Sequence, residues 1–189
     1  MVDFEKDIEQ CLQVLKQGGL ILYPTDTIWG IGCDATNAHA VEKIYQLKKR
    51  PDEKAMIVLV ADEKEILRHV ASPGLQVFDH LQKATKPTTV IYEGAIGLAE
   101  NLIARDGSIA LRICHDPFCK HLIKRSRKPI VSTSANISGE PVAKLFTEIA
   151  DEIKNGVDYI VKYRQDDQTI AEPSAVIKCE NGAVTVIRP

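Results

Sequence analysis

The chain has 189 residues, of which 44% are hydrophobic and 26% charged, the composition of a soluble globular protein rather than a disordered one. Lys and Arg number 24 against 26 Asp and Glu, so the net charge of −2 gives no overall pull toward nucleic acid. No apolar run approaches the roughly 20 residues of a membrane helix. The acidic start MVDFEKDIEQ also lacks the basic head and apolar middle of a secretory signal. A single cytoplasmic domain over residues 1–189 is therefore expected.

FEKDIEQCLQVLKQGG places Phe4, Ile8, Leu12 and Leu15 at helical spacing and closes on a glycine pair suited to a C-cap. LILY then predicts a strand. In NAHAVEKIYQLKKRP, Asn37 stands as an N-cap, Val41, Ile44, Tyr45 and Leu47 share one face, and Pro51 is the stop. AMIVLVA reads as a strand buried on both faces. Helices are predicted for DEKEILRHV, GLQVFDHLQKA and DPFCKHLIKR, and strands for TTVIYE and SIALRI. KPIVSTSAN reads as a short strand running into a loop. The tail predicts strands at DYIVK, SAVIKC and AVTVIRP, the last two joined at ENG as a hairpin. Helices and strands alternating early, with hairpins late, predict an α/β domain with a mixed sheet and one open face.

The five cysteines are odd in number and lack paired short spacing, which points to reduced, buried thiols. CHDPFCK brings Cys114, His115 and Cys119 together, but no second ligand pair follows, so a structural zinc site is not expected. LKKRPDEK and KHLIKRSRKP concentrate cations, read either as solvated helix ends or as partner-facing surfaces.

Three segments are candidates for chemistry. LILYPTDTIWGIGCDA leaves its strand through small and hydroxyl residues, the pattern by which an α/β sheet admits a ligand at a strand end. Thr25 and Thr27 would hydrogen-bond that ligand; equally, the segment reads as a turn whose glycines merely permit positive φ. The segment is neither a G-x-x-x-x-G-K-[ST] phosphate loop nor a G-x-G-x-x-G fingerprint. In LKKRPDEKAMIVLV, Lys48, Arg50 and Lys54 fall between a helix end and a buried strand, where Arg50 is suited to clamp phosphate or carboxylate oxygens. VSTSANISGEP clusters Ser132, Thr133, Ser134, Asn136 and Ser138, hydroxyls for phosphate or ribose or simply a polar loop. No histidine completes a Ser/His/Asp pattern, so nucleophilic hydrolysis is not supported.

Taken together, YPTDTIWGIGCDA, AVEKIYQLKKRP, SIALRI, STSANISGEP and the closing VIRP resemble the YrdC/TsaC family of L-threonylcarbamoyladenylate synthases from about Gly19 to Pro189. The resemblance implies an α/β fold, a twisted mixed sheet with flanking helices around a large concave, positively charged cavity. It implies synthesis of threonylcarbamoyl-AMP and pyrophosphate from L-threonine, bicarbonate and ATP, with Mg²⁺. The product would pass to the complex that forms N6-threonylcarbamoyladenosine at tRNA position 37. By position, Lys48 and Arg50 match the catalytic K-x-R pair at the ATP phosphates. Lys54, Ser108, Ser134, Asn136 and Arg188 match further ATP contacts, while Thr27, Arg112, Ser132 and Ser174 match the threonine side. Three places depart from the family pattern. ATKPTTVIY replaces a W-P-G-P-L-T-like block, Val142 stands where a serine is common, and Ala175 replaces the threonine of E-S-T-V. These departures also fit a YciO-like paralogue that binds double-stranded RNA or tRNA.

Overall fold

The computed structural model describes residues 4–50, 56–180 and 183–189. Pro51, Lys54 and the Asn181-Gly182 turn lie outside the described residues.

Helix α1 (Glu5–Lys16) buries Ile8, Cys11 and Leu15, while Leu12 is only half-buried. It ends as the glycine pair predicts: Gly18 takes φ +70°, and the Gly19 amide donates to the Val14 carbonyl at 2.9 Å. Strand β1 (Ile21–Tyr23) follows, and then β2 (Gly30–Gly32). Helix α2 (Ala38–Leu47) is capped by Asn37, whose Oδ1 accepts from the Ala40 amide at 3.1 Å, and buries Ala40, Val41, Ile44 and Tyr45. After it, Lys49 adopts φ +49°, which turns the chain out of the helix before Arg50.

Strand β3 (Ile57–Val60) is the buried run read from the sequence, and α3 (Glu63–His69) is capped by Asp62. Next come α4 (Gln76–Lys83), β4 (Thr88–Tyr92) and β5 (Ile109–Ile113). Then follow α5 (Pro117–Ser126), β6 (Ile130–Ser134), the short α6 (Asp151–Asn155) and β7 (Tyr159–Ile160). The chain finishes with β8 (Ala175–Glu180) and β9 (Ala183–Arg188).

Among the described residues the nine strands form one twisted mixed sheet in the order β7-β1-β2-β6-β3-β5-β4-β8-β9. The β3–β5, β4–β8 and β1–β7 pairs are parallel and the others antiparallel. The mixed α/β sheet is thus as expected, and β8–β9 is the predicted antiparallel hairpin. The core concentrates on β3, β5 and β6, where Val58, Leu59, Leu111 and Val131 are buried, and α1 packs against α5.

The segment WGIG departs from the turn reading. It forms β2, paired with both β1 and β6, and neither Gly30 nor Gly32 lies at positive φ. The requirement for glycine is one of close approach. A Cβ on Gly32 would stand 2.6 Å from Tyr23 Cε1 and 2.6 Å from the Val131 carbonyl oxygen. The Tyr23 ring occupies that space because its hydroxyl donates to the Val131 carbonyl at 3.0 Å, reaching over β2 to β6.

All five cysteines are buried and unpaired. Burial raises the Cys11, Cys33 and Cys119 thiols well above the usual range, so none of these three is primed as a nucleophile. No helix among the described residues is long and apolar enough to cross a membrane.

Candidate functional site

Strands β2, β5 and β6 and the starts and ends of their neighbours wall a cavity of about 250 Å³. Seven of the eleven site residues expected from the sequence line it: Thr27, Arg50, Arg112, Ser132, Ser134, Ser174 and Arg188. They come from six separate stretches of chain, so the sheet assembles what the sequence scatters. Trp29, Gly30 and Val142 also line it, and Trp29 is held by Phe146, ring centroids 4.8 Å apart.

The PTDT turn builds one part of this wall. Thr25 Oγ1 donates to the Ile28 carbonyl at 2.8 Å, which uses its single proton, and accepts from the Thr27 amide at 3.0 Å. The Thr27 hydroxyl, 3.0 Å away, must therefore donate to Thr25 Oγ1. Thr27 Oγ1 also accepts from Arg112 Nη2 at 3.2 Å, which leaves one acceptor lone pair for a ligand. Arg112 is 3% exposed. Its Nη2 lies 3.1 Å from Asp26 Oδ1, an ion pair not aligned as a hydrogen bond, and its buried Nε has no acceptor among the described residues. An unmet donor of that kind in a low-dielectric wall favours an anionic ligand group.

A second network joins the K-x-R and S-A-N segments. Lys48 is 1% exposed, and its ammonium donates to the carbonyls of Ser134 and Asn136, the latter at 2.6 Å, and to Asn136 Oδ1 at 3.3 Å. All three ammonium hydrogens are thereby directed into the loop, and the loop returns the contact as the Ser138 amide donates to the Lys48 carbonyl at 2.8 Å. Burial first, then the Arg50 charge, pulls the Lys48 ammonium down to about 8. Asn136 is a brace in the same network: its Oδ1 accepts from Ser134 Oγ at 2.6 Å, and its Nδ2 donates to the Glu140 carbonyl at 2.8 Å. Lys48 and Asn136 thus sit behind the wall, whereas Arg50 and Ser134 line it. Burial lowers the Arg50 guanidinium below its ordinary value.

The third part is a latch between the two ends of the tail. Arg188 donates from Nε and Nη2 to the Ser174 carbonyl at 3.1 and 2.7 Å, and Ser174 Oγ lies 2.8 Å from Thr89 Oγ1. Thr89 stands directly opposite Arg112 in the β4–β5 ladder, so the latch is anchored beside the buried arginine. Ser108 is placed elsewhere: it precedes β5, four residues before Arg112, with its amide on Asp106 Oδ1 at 3.0 Å, and it does not line the cavity. Lys54 is outside the described residues.

Asp26, Thr89 and Arg164 carry no site role in the sequence reading. Asp26 was visible between the two threonines of the turn, while the role of Thr89 appears only through strand register.

The charged side chains lining the cavity among the described residues are arginines, with no carboxylate among them. Nor do the described residues hold any group of three or more His, Cys, Asp or Glu suited to a metal ion. This donor set fits anionic oxygens and does not fit a resident divalent cation.

The family described as Sua5/YciO/YrdC, "Telomere recombination", matches residues 13–189. The threonylcarbamoyl-AMP synthase of Saccharophagus degradans is 36% identical over 140 residues, covering 72% of this chain and 72% of the relative. That of Pseudoalteromonas translucida is 30% identical over 183 residues, covering 95% and 97%. Among solved structures, P. abyssi Sua5 complexed with L-threonine superposes with a TM-score of 0.86 at 22% identity, over 98% of this chain and 54% of that one. This chain therefore spans about half the length of that Sua5. E. coli YciO superposes with a TM-score of 0.83 at 23% identity, over 97% and 88%. At such identities the structural likeness speaks for the fold, and the curated relatives carry the functional comparison.

Proposed function

The chain belongs to the Sua5/YciO/YrdC family, and from that premise we propose that it is a threonylcarbamoyl-AMP synthase, joining L-threonine, bicarbonate and ATP into threonylcarbamoyl-AMP and pyrophosphate. The observation that carries the reading is the convergence of Thr27, Arg112, Arg50 and Ser134 on one cavity. Their chemistry matches the two ends of the product.

On the threonine side, Arg112 supplies the unmet Nε donor for a carboxylate, and Thr27 offers an acceptor lone pair to the substrate hydroxyl or ammonium. On the nucleotide side, Arg50 meets phosphate oxygens as a fixed fork, with the Ser134 hydroxyl beside it. Lys48 and Asn136 act one step back, by holding the loop that carries Ser134.

The reaction needs no side-chain nucleophile. The threonine amine adds to bicarbonate with loss of water to give a carbamate. A carbamate oxygen then forms a bond to the α-phosphorus as the bond to the bridging oxygen breaks and pyrophosphate leaves. The residues contribute positioning and neutralisation of the charge that develops on the phosphates. Magnesium enters as part of the ATP substrate, since the described lining residues offer it no carboxylate. The product is destined for transfer to tRNA in the cytoplasm.

The alternative of an RNA-binding paralogue is not favoured. Curated relatives at 30–36% identity are named as synthases, whereas YciO shares 23%. The test is mass spectrometry of a reaction containing ¹³C-bicarbonate. The reading expects labelled threonylcarbamoyl-AMP; ATP left unchanged would defeat it.

A further inference from the structure

Arg164 lies outside the cavity lining, in the segment that follows β7, yet it reaches the backbone of the PTDT turn. Its Nη1 donates to the Thr25 carbonyl at 3.1 Å and lies 3.1 Å from Asp116 Oδ2, while its Nε donates to Asp167 Oδ2 at 2.9 Å. The other oxygen of Asp116 caps α5, accepting from the Cys119 amide at 3.0 Å. Cys119 Sγ in turn donates to the Pro24 carbonyl at 3.3 Å. The carbonyls of two consecutive residues, Pro24 and Thr25, the second of them two residues before Thr27, are therefore held by Cys119 of α5 and by Arg164.

Arg164 also takes φ +64°, in the left-handed region that a residue with a Cβ adopts only when its surroundings impose it. Glycine would suit that backbone better. Its place is taken by a side chain whose guanidinium is mostly covered, at 29% exposure, and forks between two elements. The plain alternative is an ion pair with Asp116 and Asp167 that only ties down the loop. That alternative gives no role to the Thr25 carbonyl contact, which is made by the same Nη1 that faces Asp116.

We infer that Arg164 is a positioning residue for L-threonine recognition. By fixing the Thr25 peptide it sets Thr25 Oγ1, and with it the Thr27 hydroxyl and the lone pair that Thr27 presents to the substrate. The Arg50 and Ser134 side of the cavity is built on other elements and does not depend on this contact. The inference rests on the synthase reading and deepens it by separating the two substrates.

Arg164→Gly is the decisive variant, because it removes the fork while relieving the left-handed backbone, so the fold is retained. Asp167→Asn is the control, which weakens the ion pair but leaves Nη1 on the Thr25 carbonyl. Steady-state kinetics would be measured for both, with thermal midpoints alongside. In Arg164→Gly, KM for L-threonine rises about tenfold, as expected for loss of one charge-assisted hydrogen bond. Its KM for ATP and its kcat stay within about twofold, and Asp167→Asn stays near wild type in all three. An unchanged threonine KM, or equal rises in both KM values, would overturn the inference and leave the synthase reading standing. A wild-type protein without threonine-dependent turnover would overturn the reading itself, and the inference with it.

Discussion

The Lys48 ammonium lies 2.6 Å from the carbonyl oxygen of Asn136, 88 residues further along the chain. That contact welds the K-x-R segment to the S-A-N loop, and it titrates within reach of ordinary assay conditions. Burial holds Lys48 down to about 8, against an ordinary lysine value near 10.5. Below about pH 8 folded and unfolded chains both carry the proton. Between about 8 and 10.5 the unfolded chain binds more, so this group's contribution to stability rises with pH through that window. Function moves the other way, because deprotonation takes one hydrogen from the loop oxygens and one positive charge from beside Arg50. KM for ATP is expected to rise about tenfold from pH 7 to 9, and Lys48→Met should flatten the step. A pH profile of KM for ATP in both proteins checks this.

Gly32 and Gly30 separate stability from function. Gly32→Ala would drive a Cβ to 2.6 Å from the Tyr23 ring and from the Val131 carbonyl, and should destabilise the fold by about 2 kcal/mol. Gly30→Ala meets chiefly the Ser132 hydroxyl at 3.0 Å, a side chain able to turn away, on the cavity wall. It should cost less than about 1 kcal/mol yet raise a substrate KM. Denaturant midpoints and kinetics on both variants test the contrast.

Thr27→Val removes the hydroxyl that accepts from Arg112 and faces the substrate, while keeping the shape of the side chain. Loss of a hydrogen-bonding partner for a polar substrate should raise the threonine KM about tenfold or more. Thr27→Ser should restore most of it. A wild-type threonine KM in Thr27→Val, or a Thr27→Ser variant as impaired as Thr27→Val, would contradict the role given to the hydroxyl.

Val142 is 40% exposed and lines the cavity, so the departure noted from the sequence falls on the site itself. Ala175, by contrast, is a buried β8 residue that pairs with Thr88. Val142→Ser is therefore expected to lower KM for ATP by about threefold, the effect of one modest hydrogen bond, and Ala175→Thr to act mainly on stability. Kinetics and thermal midpoints of the two variants distinguish these outcomes.

The sequence yields those parts of the fold that rest on local rules. Asn37 caps α2, the Gly18-Gly19 pair ends α1, and the apolar run at β3 is buried, because each is set by neighbours along the chain. It misses β2, since three residues with two glycines carry no strand propensity. That strand exists because Tyr23 must reach over it to Val131. The same limit applies to the site. Motif positions identify Thr27, Arg50 and Arg112, but whether a cation lines the cavity or braces a loop depends on contacts across the sheet. Lys48 and Arg50, two residues apart, divide on that point. Arg164 had no local signal at all, because its role lies in a carbonyl 139 residues away.

The most direct test of the central claim is pyrophosphate release from ATP and bicarbonate, measured with and without L-threonine, in the wild-type protein and in Arg50→Ala. The account predicts threonine-dependent release in the wild type and its loss in a folded Arg50→Ala. Release that ignores threonine, or full activity in Arg50→Ala, would contradict it.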